Sequence, residues 1–164
     1  EDGITAISIY LILYLTMNLG VFLFILNMQR DQINVTKIKD LSGLYKTEPI
    51  MAGCLAIILF SMAGIPPLAG FVGKLLILNI VVDSNLFFLA VIAVLTSVIA
   101  AFYYIRMVKS IFFDEPTEEL DILTNNQSKL LMIIFSFFNL TVILYPQFFL
   151  NLSASIALSL FALK

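Results

Sequence analysis

A lysine stands where a lysine is expensive. Residues 61–74 read SMAGIPPLAGFVGK, within an apolar run over 50–82 whose only charged residue is Lys74. A charge at membrane depth is costly unless water or a partner meets it, and desolvation disfavours the ammonium form. A group so placed can take up and release a proton, which is the chemistry of a relay. Around it stand Pro66 and Pro67, which remove backbone donors and block a straight helix, and Gly64, Gly70 and Gly73. An unwound link between two half-helices exposes carbonyls and helix ends that can hold water or ions beside the lysine. The plainer alternative is a lysine that snorkels to an interface, but Lys74 lies about 12 Å from the polar turn at 83–85, a long reach.

Other polar groups in apolar surroundings are weaker candidates for ordering water: Tyr10, Tyr14, Asn18, Ser61 and Thr96. Tyr10, Tyr14 and Asn18 recur at i, i+4, i+8 and share one helix face. That face is either a helix–helix hydrogen-bonding seam or the wet wall of a polar path. Arg106 and Lys109 follow Tyr103 and Tyr104 at the end of a span, where basic and aromatic residues anchor a helix at the interface. Asp40 can order its loop by local pairing. The lone Cys54 reads as a small apolar filler. The Asn-x-Ser/Thr matches at Asn34, Asn139 and Asn151 read as chance.

The elements that must position Lys74 follow from composition and length. Of 164 residues, 61% are hydrophobic and 12% charged, against about 45–50% and ~25% in an ordinary soluble domain. A globular core cannot hide that much apolar surface, so the reading is an all-α membrane protein. With no histidine and one cysteine, the chain alone cannot build a disulfide, a zinc, haem or iron–sulfur site, or a Ser-His or Cys-His catalytic pair. Nine Lys and Arg without a basic stripe argue against nucleic acid. The acidic start, Glu1-Asp2, is unlike the basic opening of a secretory signal.

Four transmembrane helices are expected, the second of them discontinuous. Residues 4–27 make a first span of roughly 36 Å, enough for a ~30 Å hydrocarbon core. A polar loop covers 28–49. Residues 50–82 would make a straight helix of about 50 Å, and each piece beside Pro66-Pro67 falls short of the ~20 residues needed to cross alone. One broken crossing is the reading, with a re-entrant hairpin as the competing geometry. A third span covers 86–113, an acidic loop 114–127, and a fourth span 128–150, kinked at Pro146. Residues 151–164 are too short to span and read as an interfacial helix. If 50–82 crosses, Arg30, Lys37, Lys39, Lys46, Arg106, Lys109 and Lys129 all lie on one side, seven of nine basic residues. A re-entrant hairpin would split them four against three. The positive-inside rule favours the crossing.

The motif MAGIPPLAGFVGK over 62–74 resembles the signature of the antiporter-like membrane subunits of respiratory complex I, in the version carried by its subunit 2 branch. MNLG at 17–20 with Phe22, DLSGLYK at 40–46 followed by Pro49, YYIR at 103–106 and the pair Tyr145-Pro146 are similar to flanking parts of the same family, so the resemblance covers nearly the whole chain. It implies the last four helices of such a subunit, with Lys74 as the distal lysine of a proton path and Asp40 and Arg106 as motif charges. It also implies that NADH, FMN, the iron–sulfur clusters and ubiquinone bind elsewhere in the complex, and that this chain carries no cofactor. The partners implied are a separate chain bearing the subunit's earlier helices, other membrane subunits of the complex, and lipids, cardiolipin among them. The family's other path charges, on earlier helices, have no counterpart here. A split gene or a fragment explains that, and the Phe, Ile, Leu and Asn bias fits an AT-rich mitochondrial genome and an inner-membrane protein with matrix-side basic loops. The rival readings are a piece of a related cation/proton antiporter or membrane-bound hydrogenase, and a purely structural brace.

Overall fold

The structure is a computed structural model and describes residues 2–30, 33–34, 37–115, 121–122 and 126–142. The expected interfacial helix at 151–164, the kink at Pro146 and most of the acidic loop lie outside the described residues.

α1 (Asp2–Asn27) is uninterrupted by proline and about 39 Å long. Ala6, Ile9, Leu13, Met17, Gly20 and Phe24 recur every three or four positions and are buried, the stripe a packed helix needs. Its opposite face is equally apolar, with Ile7, Leu11, Leu15, Leu19, Phe22 and Leu26 exposed. A helix apolar all round is not solvated by water. α1 and α5 (Phe87–Phe113) are the two described helices long and apolar enough to cross a membrane. Most of α5 is exposed; only Ala90, Val108, Ser110 and Ile111 are buried along it.

The helix at the centre is α3 (Pro49–Ala63), entered through a proline at its first position, where the missing N–H costs nothing. Nine of its 15 residues are buried, Met51, Ile58 and Ser61 among them, and it packs against α1, α5 and α6 (Asn126–Thr141). α6 presents Met132, Ser136 and Asn139, all buried. The Ser136 hydroxyl donates to the Cys54 carbonyl at 3.0 Å. α4 (Ala69–Asp83) follows a break and leans on α1. So the 50–82 run is two helices, and the break opens at Gly64, two residues before the proline pair.

The loops are more ordered than a polar linker. β1 (Met28–Arg30), β2 (Ile33–Asn34) and β3 (Asp121–Ile122) form a small antiparallel sheet in the order β2-β1-β3, with Met28 opposite Ile122. A 3-10 turn over Ile38–Leu41 and α2 (Leu44–Thr47) complete the 28–49 segment. The described fold is otherwise helical, and strands of two or three residues are too short to show alternation in sequence. The sheet joins the segment after α1 to the segment after α5. The Gly43 N–H donates to the Ser110 carbonyl at 3.1 Å, and Lys129 Nζ lies 3.1 Å from Glu48 Oε2. These contacts put both loops at one end of the bundle, with the 84–86 turn linking α4 to α5.

The Lys129–Glu48 pair is partly exposed, 33% and 27%, and such pairs contribute about 0–1 kcal/mol. Lys129→Ala should therefore lower the thermal transition of the detergent-purified protein only slightly at low salt, and the difference should vanish at high salt.

Candidate functional site

The two half-helices cap each other. An α-helix leaves its last four carbonyls without intrahelical partners; for α3 these belong to Phe60, Ser61, Met62 and Ala63. Gly64 adopts φ 83, the left-handed conformation that glycine tolerates. It lets the Gly64 N–H reach Ser61 O at 3.0 Å and the Ile65 N–H reach Phe60 O at 3.1 Å, the paired bonds of a Schellman ending. The next residue, Pro66, disfavours helix at Ile65, and Pro66 and Pro67 bring no N–H. The two remaining carbonyls are met by Lys74 of α4: Nζ donates to Met62 O at 2.9 Å and to Ala63 O at 3.3 Å. The ammonium thus sits at the negative end of the α3 dipole, and all four carbonyls have a partner.

The start of α4 is capped from the other side. Its Gly70 N–H donates to Ser61 Oγ at 3.0 Å, and that hydroxyl donates to Asn139 Oδ1 at 2.9 Å. The half-helices meet so closely that a Cβ at residue 70 would overlap the Ser61 carbonyl oxygen. Gly73 allows the approach of α4 to α1: a Cβ there would lie 3.4 Å from Tyr10 Cδ2.

Beside Lys74 lies a cavity of about 240 Å³ walled by Tyr10 and Tyr14 of α1, Lys74 of α4, and Thr96, Ser97 and Tyr104 of α5. The Tyr10 and Tyr14 rings stack with centroids 5.8 Å apart. A larger, mostly apolar cleft of about 570 Å³ opens between α4 and α5 and shares Lys74, Tyr10, Thr96 and Ser97 with the first. The lysine therefore stands at the junction of a tyrosine-lined space and an apolar one.

Of the residues singled out from sequence, Lys74, Tyr10, Tyr14, Thr96 and Gly70 come together at this cavity. Asn18 does not: its amide folds back to the Tyr14 carbonyl at 2.7 Å, within its own helix. Ser61 is fully buried and faces α6 rather than the cavity. Thr96 bonds the Ile92 carbonyl at 2.9 Å, leaving its hydroxyl shared with its own helix. Arg106 lines a separate space of about 590 Å³ at the loop end, with Lys39, Lys109, Asp114 and Glu115. Asp40 accepts the Lys37 N–H at 3.2 Å and so helps close the 3-10 turn. Sequence reasoning missed Tyr104, Ser97 and Asn139. Tyr104 had a signal, one helical step on from Thr96 and Ala100 at i+4 and i+8. Asn139 had one too: an amide inside an apolar helix needs a partner.

With this geometry in view, the chain belongs to the family described as NADH:quinone oxidoreductase/Mrp antiporter, transmembrane, whose profile matches residues 1–100. It is 49% identical over 132 residues to NADH-quinone oxidoreductase subunit N of Rhodospirillum rubrum, covering 80% of this chain and 27% of that one. Its fold resembles a chain of respiratory complex I from Thermus thermophilus, with TM-score 0.80 and 24% identity over 90% of this chain and 34% of that one. It also resembles a chain of the Mrp complex from Dietzia sp., with TM-score 0.77 and 24% identity over 92% of this chain and 36% of that one. The chain spans about a quarter to a third of the length of the curated relatives it matches.

The Gly70 contact is with backbone, which cannot yield as a side-chain tip can. Gly70→Ala should cost at least the 1–3 kcal/mol typical of overpacking and sharply reduce the detergent-stable protein recovered from membranes. Gly53→Ala, which meets nothing within 4 Å, should recover at the parent level.

Proposed function

We propose that this chain forms the distal part of a transmembrane proton path in a NADH:quinone oxidoreductase, with Lys74 as the group that exchanges the proton. The observation that carries the reading is the hold on Lys74: two main-chain carbonyls on one side and a hydroxyl-lined cavity on the other. An ammonium has three donors. Two serve Met62 and Ala63, and the third is free to be the proton in exchange. A neutral amine keeps two N–H groups for the same carbonyls and turns its lone pair to the cavity. The proton can thus leave and return without uncapping α3. Tyr10, Tyr14 and Tyr104 are the hydroxyls placed to order water at that point.

In this reading α1, the α3–α4 pair, α5 and α6 belong to four crossings. The break then lies near the membrane midplane, and the end that carries the sheet and the basic loops is the cytoplasmic or matrix side. The rest of the path, on the part of the relatives' length that this chain does not span, supplies the other protonatable groups. A separate partner chain, a mitochondrial inner membrane and contact with other membrane subunits and lipids belong to the same proposal: the first rests on the family resemblance, the compartment on the Phe, Ile, Leu and Asn bias, and the contacts on the exposed apolar faces of α1 and α5. Redox chemistry, with its NADH, FMN, iron–sulfur clusters and quinone, is assigned to other subunits. The cation/proton antiporter reading is favoured by the Mrp likeness, while the 49% identity to a subunit N favours the first.

The test is substitution of Lys74 in the assembled complex in its own membranes. Lys74→Ala removes the carrier, and Lys74→Arg keeps a cation that does not release its proton at working pH. Both should lower NADH-driven proton transport per assembled complex about tenfold or more, within the range of a lost proton-transfer group. Normal transport in Lys74→Arg would end the relay reading.

A further inference from the structure

We propose that Ser61 and Asn139 are positioning residues for Lys74, and that α6 is thereby part of the site. This rests on the relay reading above and adds to it the device that sets the lysine's place. The chain of bonds is continuous and runs in one direction. Asn139 Nδ2 donates to the Phe135 carbonyl at 2.8 Å, which fixes the amide so that Oδ1 faces Ser61. The Ser61 proton goes to that oxygen at 2.9 Å, leaving a lone pair to accept the Gly70 N–H at 3.0 Å. Ser61 and Asn139 are both wholly buried, 0% exposed, so water cannot substitute for either partner.

Gly70 and Lys74 are four residues apart in α4 and lie on one face, one turn from each other. The Gly70 bond holds the first turn of α4 against the last turn of α3, and the next turn carries the ammonium onto Met62 and Ala63. Lys74 is long and has many rotamers; its two bonds to carbonyls can be held only if the two half-helices keep their register. Close packing at Gly70 limits approach but does not by itself stop sliding. The directional Asn139–Ser61–Gly70 chain does. α6 itself contributes no side chain to the tyrosine-lined cavity, so its effect on the lysine passes through Ser61.

A second hydroxyl provides the control. Ser136 also bonds α6 to α3, at the Cys54 carbonyl, 3.0 Å and buried, but about two turns of α3 away from Ser61. In the assembled complex, Ser61→Ala and Asn139→Leu should each lower NADH-driven proton transport per assembled complex about three- to tenfold, with KM for quinone unchanged. Combining them should be little worse than either alone, the behaviour of two groups in one chain of bonds. Ser61→Thr, which keeps the hydroxyl, should restore most of the loss, and Ser136→Ala should leave transport per complex at the parent value. If Ser61→Ala fails to assemble, Asn139→Leu carries the test, because it leaves the Ser61–Gly70 bond in place. The inference is overturned if Ser61→Ala and Asn139→Leu behave as Ser136→Ala does, losing assembled complex but not transport per complex. Loss of transport in Lys74→Arg together with that result would sink the positioning role alone. Normal transport in Lys74→Arg would sink the relay reading beneath it.

Discussion

The structure depends on closing the ends of a helix that is cut in the middle of the protein. Away from water, each open carbonyl or N–H at a helix end costs several kcal/mol, so a break survives only if its ends are met. Here each half supplies a cap to the other. Ser61 of α3 takes an N–H at the start of α4, and Lys74 of α4 takes the last two carbonyls of α3. Gly64 handles the other two carbonyls by turning left-handed. The lysine thus belongs to the structure of the break, whatever else it does.

The rest of the fold serves this junction. α3 is central and largely buried, so the break is anchored on one side in packed core. α1 brings Tyr10 and Tyr14 to the lysine across Gly73, and α5 brings Thr96, Ser97 and Tyr104. α6 reaches the junction through one amide. The small sheet and the Glu48–Lys129 pair tie the loops at one end, so that α3 and α4 have a shared direction despite the break. The exposed apolar faces of α1 and α5 have no place in water, and they are where lipid or the remaining part of a longer assembly would pack.

Much of this was legible beforehand. A proline pair, three glycines and a single charge in an apolar run mark a broken helix with a purpose, because each is costly there unless compensated. The sheet and the Glu48–Lys129 pair bring the segments after α1 and after α5 together, in line with the basic residues that those segments carry. What stayed hidden depended on three-dimensional partners. Periodicity put Asn18 on the face of Tyr10 and Tyr14, but its amide satisfies itself on its own helix, as short polar side chains do. Ser61 looked like a water-ordering hydroxyl and is instead sealed between helices. Asn139 sits 78 residues from Ser61, and nothing local in α6 names its partner. The break begins at Gly64 because the Schellman ending, rather than the prolines, terminates α3.

The central claim is that Lys74 closes the end of α3 with two donors and offers the third to a wet cavity. A high-resolution cryo-EM map of the assembled complex in lipid tests this most directly. The account predicts Nζ density within hydrogen-bond distance of the Met62 and Ala63 carbonyls, and ordered water bridging Nζ to the hydroxyls of Tyr10, Tyr14 or Tyr104. A lysine turned away from those carbonyls, or a cavity filled by an acyl chain or an apolar side chain, would contradict it.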